Sequence, residues 1–234
     1  MKKSKLSQVV VAAAVVATLG LTAACSGDSD GGDKSGKDKG GAGQSGGDEK
    51  KGAPALTEAQ LKSAIIDKLA GYQFEVIPEN EFPKESAKVS DDCKPLSDMT
   101  GFTSDPAPKA RIAKGGLNKE FTLASAALLA HEQADAEKVL ADVRAAVDKC
   151  KNYGDSTGSY TGIASQPAPE VGDEAVAYKM SAQSEGENGL LSFNVVRSGS
   201  TVAVFFAADM SGKGTGGVPK ELVDAQIKRL EAVK

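Results

Sequence analysis

The chain has 234 residues, 40% of them hydrophobic, with seven Phe, four Tyr and no Trp, and a formal net charge of −4. An acidic balance of this kind argues against a nucleic-acid partner, which would want a basic face, and so few rings require a largely aliphatic core. One His and three Cys leave little material for imidazole, thiolate or metal chemistry.

The N-terminal region carries an address. Lys2, Lys3 and Lys5 are followed by an apolar, small-residue run from Val9 to Leu21 and by Thr22-Ala23-Ala24, the three parts of a secretory signal peptide. The run is shorter than the roughly 20 residues of a spanning helix. Leu21-Thr22-Ala23-Ala24-Cys25 resembles the bacterial lipobox, with Leu21 one position further from the cysteine than is usual. That resemblance implies cleavage before Cys25, a diacylglyceryl group on its sulfur, and a palmitate-type anchor. Two or more acyl chains hold a membrane stably where one does not.

Residues 1–24 are therefore expected to be a signal peptide, 25–55 a lipid-anchored linker and 56–234 one globular extracytoplasmic domain. The linker is Gly, Ser, Asp and Lys almost throughout. It buries too little to offset its ordering entropy, and it should reach about 30 Å as a flexible coil. About 180 residues then remain, enough for a sizeable core.

Thr57-Glu58-Ala59-Gln60 predicts a capping box, with Leu61, Ala64, Ile65 and Leu69 at helical spacing and Gly71 as the stop. Tyr72, Phe74 and Val76 alternate as a strand ending at Pro78. Residues 78–91 read as loop, and Lys94 to Met99 as one or two helical turns before Gly101. Ala110–Ala113 and Phe121–Leu129 flank Gly115-Gly116 as a hairpin, although the alanines of the second segment also allow a helix. Ala134 to Lys151 places Ala136, Leu140, Val143, Val147 and Cys150 on one helical face. Strands are expected near 159–164, 175–182, 189–197 and 200–208, with a tight turn at Ser198-Gly199. Pro219 opens a last helix that buries Val223, Ile227 and Leu230. Few helical crossovers separate the strands, so the class is α+β, a mainly antiparallel sheet with packed helices.

Cys93 and Cys150 are the pair outside the lipobox. In an exported domain an isolated pair is expected as a disulfide, which makes this a single disulfide-stapled domain. Other constellations favour bland readings. His131-Glu132-Gln133-Ala134-Asp135 lacks the second His of a zinc-protease helix, and His131 reads as a solvated residue of a helix-entry loop. Gly212, Gly214 and Gly217 match a dinucleotide fingerprint but have no following βαβ unit. Glu170, Asp173 and Glu174 cluster at a turn, where acidic residues are ordinary. No catalytic residue, metal site or cofactor is expected.

The order of the Leu56–Leu61 helix start, Asp92-Cys93-Lys94-Pro95-Leu96, the helix ending at Cys150, Val171-Gly172-Asp173-Glu174-Ala175, Phe193–Gly199 and a closing helix resembles actinobacterial surface lipoproteins. More distantly it is similar to the PknH-like extracellular sensor domain family. The resemblance implies an antiparallel sheet with packed helices, a cleft, and a ligand-sensing role without catalysis. The expected function is a membrane-anchored, non-catalytic binding domain on the outer face of the cell membrane. Its partners would be the membrane through the N-terminal lipid and an unidentified envelope ligand or protein. The alternatives are an envelope hydrolase using paired carboxylates and a scaffold of a membrane complex.

Overall fold

The structure, a computed structural model, describes residues 52–69, 71–82, 89–155, 158–184, 187–209 and 217–233. The signal peptide, Cys25, nearly all of the linker and all but Gly217 of the glycine-rich segment lie outside the described residues.

The elements run α1 (Glu58–Ala64), β1 (Lys68–Leu69), β2 (Tyr72–Gln73), β3 (Glu75–Val76), a 3-10 turn (Glu79–Glu81), α2 (Lys94–Thr100), β4 (Ala110–Leu117), β5 (Thr122–Ala130), α3 (Gln133–Lys149), β6 (Asn152–Gly154), β7 (Ser159–Gln166), β8 (Glu174–Ser184), β9 (Glu187–Ser198), β10 (Thr201–Asp209) and α4 (Lys220–Glu231). Eight strands form one sheet in the order β3-β4-β5-β10-β9-β8-β7-β6, and every neighbouring pair is antiparallel. The fold is α+β, as the sequence predicts. The alanine-rich segment is strand β5, because its alternate residues enter cores on opposite sides of the sheet.

Period-two alternation sorts the strands between two cores. Ala127 and Leu129 of β5, Val202 and Val204 of β10, and Phe193 and Val195 of β9 join Leu96 and Met99 of α2 and Leu140 and Val143 of α3. Their neighbours Leu128, Ala203, Phe205 and Val196 face the other way, toward Leu61 of α1 and Leu222, Val223, Ile227 and Leu230 of α4. Helices therefore cover both faces. The glycine pair in β4 serves both. A Cβ on Gly116 would lie 2.5 Å from the Gln73 carbonyl oxygen, so the crossing backbone of β2 requires glycine. Gly115 points to the opposite face.

Helix α1 begins as expected, with Thr57 and Gln60 forming the capping box. It ends earlier than expected, at Ala64, and Leu69 lies in the two-stranded β1–β2 hairpin around Gly71, whose φ is +84°. The reason is tertiary. Gln226 is fully buried in α4; its Oε1 accepts from the Ile66 N–H at 2.9 Å, and its Nε2 donates to the Ala64 carbonyl at 3.0 Å. Arg229 donates to the Ser63, Ala64 and Ile65 carbonyls, each at 3.1 Å. These bonds satisfy groups that a continuing helix would have paired internally.

Cys93 and Cys150 form a disulfide with Cα atoms 5.0 Å apart. It joins the start of α2 to the end of α3 on one face. The expected Ser198-Gly199 turn is displaced by one residue: Ser198 pairs with Thr201, and Gly199-Ser200 is the loop, with Gly199 at φ +62°. That positive φ at the first central position is what a type II′ hairpin requires.

Candidate functional site

Helix α3 packs mainly across β7, β8, β9 and β10; Ala127 and Leu129 of β5 are buried in the same core, and the open space on this face lies further along β4 and β5, at Gly115 and Ser125. A cavity of about 300 Å³ lies there. Sheet register builds its floor. Gly115 pairs with Ser125, Ser125 with Phe206, Phe206 with Phe193, and Phe193 with Tyr178, so these five residues form one row across five strands. Along the row, Tyr178 and Phe193 stack with centroids 5.0 Å apart and planes 6° apart, and Phe206 lies 5.2 Å from Phe193 at 51°. At Ser125 and Gly115 the row changes from rings to small residues, and the cavity occupies the space above them. Leu123 and Leu191, two positions further along β5 and β9, extend the apolar floor.

The wall comes from the segment between β3 and β4: Ile77, Glu81, Phe82, Thr100 and Phe102. Phe102 closes helix α2 as its left-handed cap. The Thr103 N–H donates to the Asp98 carbonyl at 3.0 Å, and the Phe102 N–H donates to the Met99 carbonyl at 3.3 Å, the two bonds of a Schellman motif. The left-handed position in that motif is normally glycine, yet here Phe102 holds φ +49°. A bulky residue in that conformation carries strain of about 1–2 kcal/mol. Sequence alone would assign the left-handed position to Gly101, one residue earlier; the structure places an aromatic ring there and turns it onto the cavity. Phe82 meets that ring edge-on at 5.9 Å. The Arg111 guanidinium lies 4.5 Å from the Phe82 ring centroid, and its Nη1 donates to the Phe102 carbonyl at 3.3 Å, which locks the wall in place.

The cavity is mostly apolar; its polar side chains are Ser125, Glu81, Tyr160 and Thr100, whose hydroxyl donates to the Ser97 carbonyl. Ser125 is 3% exposed, and its hydroxyl has no hydrogen-bond partner among the described residues. Such a group carries a desolvation cost that a bound molecule could relieve. Glu81 is exposed and is the one charged residue among the described residues that line the cavity.

A second concavity of about 310 Å³ lies between α2 and α3, beside the disulfide, and is lined by Asp91, Asp92, Asp98, Asp105 and Asp142 with Lys94 and Lys149. Lys94 pairs with Asp98 at 2.7 Å. Among the described residues no group of three or more His, Cys, Asp or Glu is arranged to hold a metal ion.

The structure changes the reading of His131. It does stand at the entry to α3, but it is fully buried, not solvated. Its own N–H donates to the Ser200 carbonyl at 2.8 Å, the junction of β5 with the β9–β10 turn, and this bond draws it inside. The Ser104 hydroxyl gives its proton to the Pro106 carbonyl at 2.8 Å, so at 3.3 Å it receives the Nε2–H of His131. Nδ1 is then unprotonated, and it has no partner among the described residues. Burial lowers the imidazole pKa, the Asp135 carboxylate opposes this, and the Lys109 charge adds to it.

Asp173 and Glu174 have structural employment. Asp173 Oδ2 accepts from the Gly199 N–H at 2.6 Å and from Arg197 at 3.0 Å, fixing the β9–β10 turn. Glu174 pairs with Arg144 at 3.0 Å. Sequence reasoning does not find the Ser125 cavity. Its signal is a Gly and a Ser at facing positions on one side of two otherwise apolar strands, and that signal needs the register of β4 with β5.

No protein-family model matches the chain, and no curated protein matches it. Among solved structures, the chain is similar to the extracellular domain of PknH from Mycobacterium tuberculosis. The TM-score is 0.47 at 14% identity, over 76% of this chain and 97% of that one.

Proposed function

We propose that this chain is a membrane-anchored extracytoplasmic lipoprotein whose domain binds a small molecule or envelope partner without transforming it. The observation that carries the binding reading is the apolar cavity with the unpartnered, buried Ser125 hydroxyl in its floor. Binding cavities are commonly apolar with few placed polar groups, and about 300 Å³ is at the lower end of their usual size. Three features support the location: the signal-peptide pattern of residues 1–24, the near-lipobox at Cys25, and a disulfide of the sort that persists in oxidising compartments. Lipid on Cys25 and the 25–55 linker would present the domain at a membrane surface, where effective concentration compensates for weak affinity. The non-catalytic reading is supported by the employment of Asp173 and Glu174 with Arg197 and the Gly199 turn, and by the burial of His131.

The test is native mass spectrometry of the full chain extracted from its own membranes in mild detergent, combined with sequencing of the N-terminal peptide. The expected result is a diacylglyceryl Cys25 at the mature N-terminus and a non-covalent apolar molecule released on denaturation. An unmodified Cys25, or a chain that retains residues 1–24, would contradict the anchor. Turnover of an envelope substrate that Asp173→Asn or Glu174→Gln abolishes in a folded protein would replace the binder with the carboxylate hydrolase.

A further inference from the structure

We propose that the Ser125 cavity selects an uncharged, flat, ring-bearing molecule of about two fused rings that carries one hydrogen-bonding oxygen. This inference rests on the binding reading above and names the class of ligand. Four observations carry it.

The first is shape. The ring row Tyr178–Phe193–Phe206 ends where Ser125 and Gly115 begin. A flat molecule above those two residues would take the next place in the row, with Phe206 on one side. Aromatic groups favour such offset or tilted neighbours. The wall adds Phe82 and Phe102, and Tyr160 brings to five the number of the chain's eleven aromatic rings that border this one space. In a chain otherwise so poor in rings, that concentration favours a planar ligand over a flexible acyl chain.

The second is size. A cavity of about 150 Å³ holds benzene, so a space of about 300 Å³ fits two fused rings.

The third is charge. Among the described residues that line the space there is no cation, and Glu81 stands at the edge. A carboxylate, sulfonate or phosphate entering there would lose its hydration with no compensating partner, and Glu81 would repel it. Arg111 is not among the residues that line the space; its guanidinium lies on the Phe82 ring and donates to the Phe102 carbonyl.

The fourth is the hydroxyl. Ser125 lines the floor, its hydroxyl is closed off and unpartnered among the described residues, and turned about its Cα–Cβ bond it can donate to or accept from one ligand oxygen. Its burial without a partner disfavours a ligand made of hydrocarbon alone.

The experiment uses four probes of similar carbon number with the full chain: naphthol, naphthalene, naphthalenesulfonate and decanol. The chain has no Trp, so naphthol emission is read without indole background, and the other probes compete against it. Naphthol should bind saturably and more tightly than naphthalene or decanol. Naphthalenesulfonate should bind about thirty-fold more weakly or worse. Ser125→Ala should weaken naphthol about three- to ten-fold and leave naphthalene within about two-fold. Leu191→Trp, placed to fill the floor, should abolish binding by all probes; circular dichroism confirms that both variants fold. Sulfonate or decanol binding as tightly as naphthol overturns the ligand class and leaves the binding reading standing. Unchanged naphthol affinity in Ser125→Ala overturns the role of the hydroxyl. No saturable binding by any probe overturns this inference together with the reading on which it rests.

Discussion

On the α4 side of the sheet, Gln226 is fully buried and both ends of its amide are used, one on the Ile66 N–H and one on the Ala64 carbonyl. On the α2–α3 side, Ser125 is almost as inaccessible, and its hydroxyl has no partner among the described residues. Both residues are polar and both lie against apolar strands. The α4 face is packed by two helices that exchange backbone and side-chain bonds, so a polar group there serves as mortar. The α3 face buries Ala113, Ala127 and Leu129 of β4 and β5 but leaves a cavity beside Gly115 and Ser125 on the same two strands. The Gln226 amide is satisfied by the helix packed beside it, whereas the Ser125 hydroxyl, beside a cavity, is not.

The largest expected effect is on the α2–α3 side, where the disulfide holds the two helices that flank the open region. Replacing Cys93 and Cys150 together by Ala removes a cross-link over 57 residues, worth about 4 kcal/mol in the chain-entropy model. Urea unfolding should show a loss of about 2–5 kcal/mol. A loss below about 1 kcal/mol would mean that packing alone joins α2 to α3.

Truncation of apolar residues then separates the two faces. Leu222 is fully buried in α4, and Leu222→Ala should cost about 3 kcal/mol. Leu191 borders the cavity and is half-buried, and Leu191→Ala should cost about 1 kcal/mol, since the space is already there. Equal costs would mean that the cavity is closed in solution.

The polar pair gives a smaller contrast of opposite sign. Gln226→Leu takes the Gln226 acceptor from the Ile66 N–H, while the Ala64 carbonyl keeps Arg229, and should lose about 1–3 kcal/mol. Ser125→Ala removes an unpaired hydroxyl and should be neutral or stabilising by up to about 1 kcal/mol. A clear loss in Ser125→Ala would show that the hydroxyl is paired within the protein, and the comparison would fail.

The last effect is on pH dependence. Burial holds the His131 imidazole below its ordinary value, so the unfolded chain takes up that proton first. Stability is fully present above about pH 6.5 and declines as pH falls toward the lowered folded-state value. His131→Gln should flatten this part of the thermal-midpoint profile. A wild-type profile already flat below pH 6.5 would contradict the burial.

How much of the molecule is legible in the sequence differs by element. The period of α3 and the alternation of β7 to β10 are clear because each buries a regular face, and the strand limits fall within a few residues of expectation. The capping box at Thr57 and the Cys93–Cys150 pair are readable for the same local reason. The spacing makes α1 too long, since Leu69 continues a helical pattern that Gln226 and Arg229 interrupt from more than 150 residues away. It leaves His131 in solvent because nothing adjacent in sequence shows that the Ser200 carbonyl draws it inward. The cavity is not legible. It depends on a Gly and a Ser meeting across two strands, and on Phe102 adopting a conformation that sequence reserves for glycine.

The most direct measurement is methyl NMR of the full chain, with labelled Ile, Leu and Val, titrated with naphthol. Ile77, Leu123 and Leu191 surround the cavity, while Leu222, Val223 and Ile227 lie in the core on the far side of the sheet. The account predicts saturable shifts at the first three with little change at the second three, and weaker shifts in Ser125→Ala. Shifts centred on the α4 side, or none at any of the six, would contradict the assignment of this cavity as the binding site.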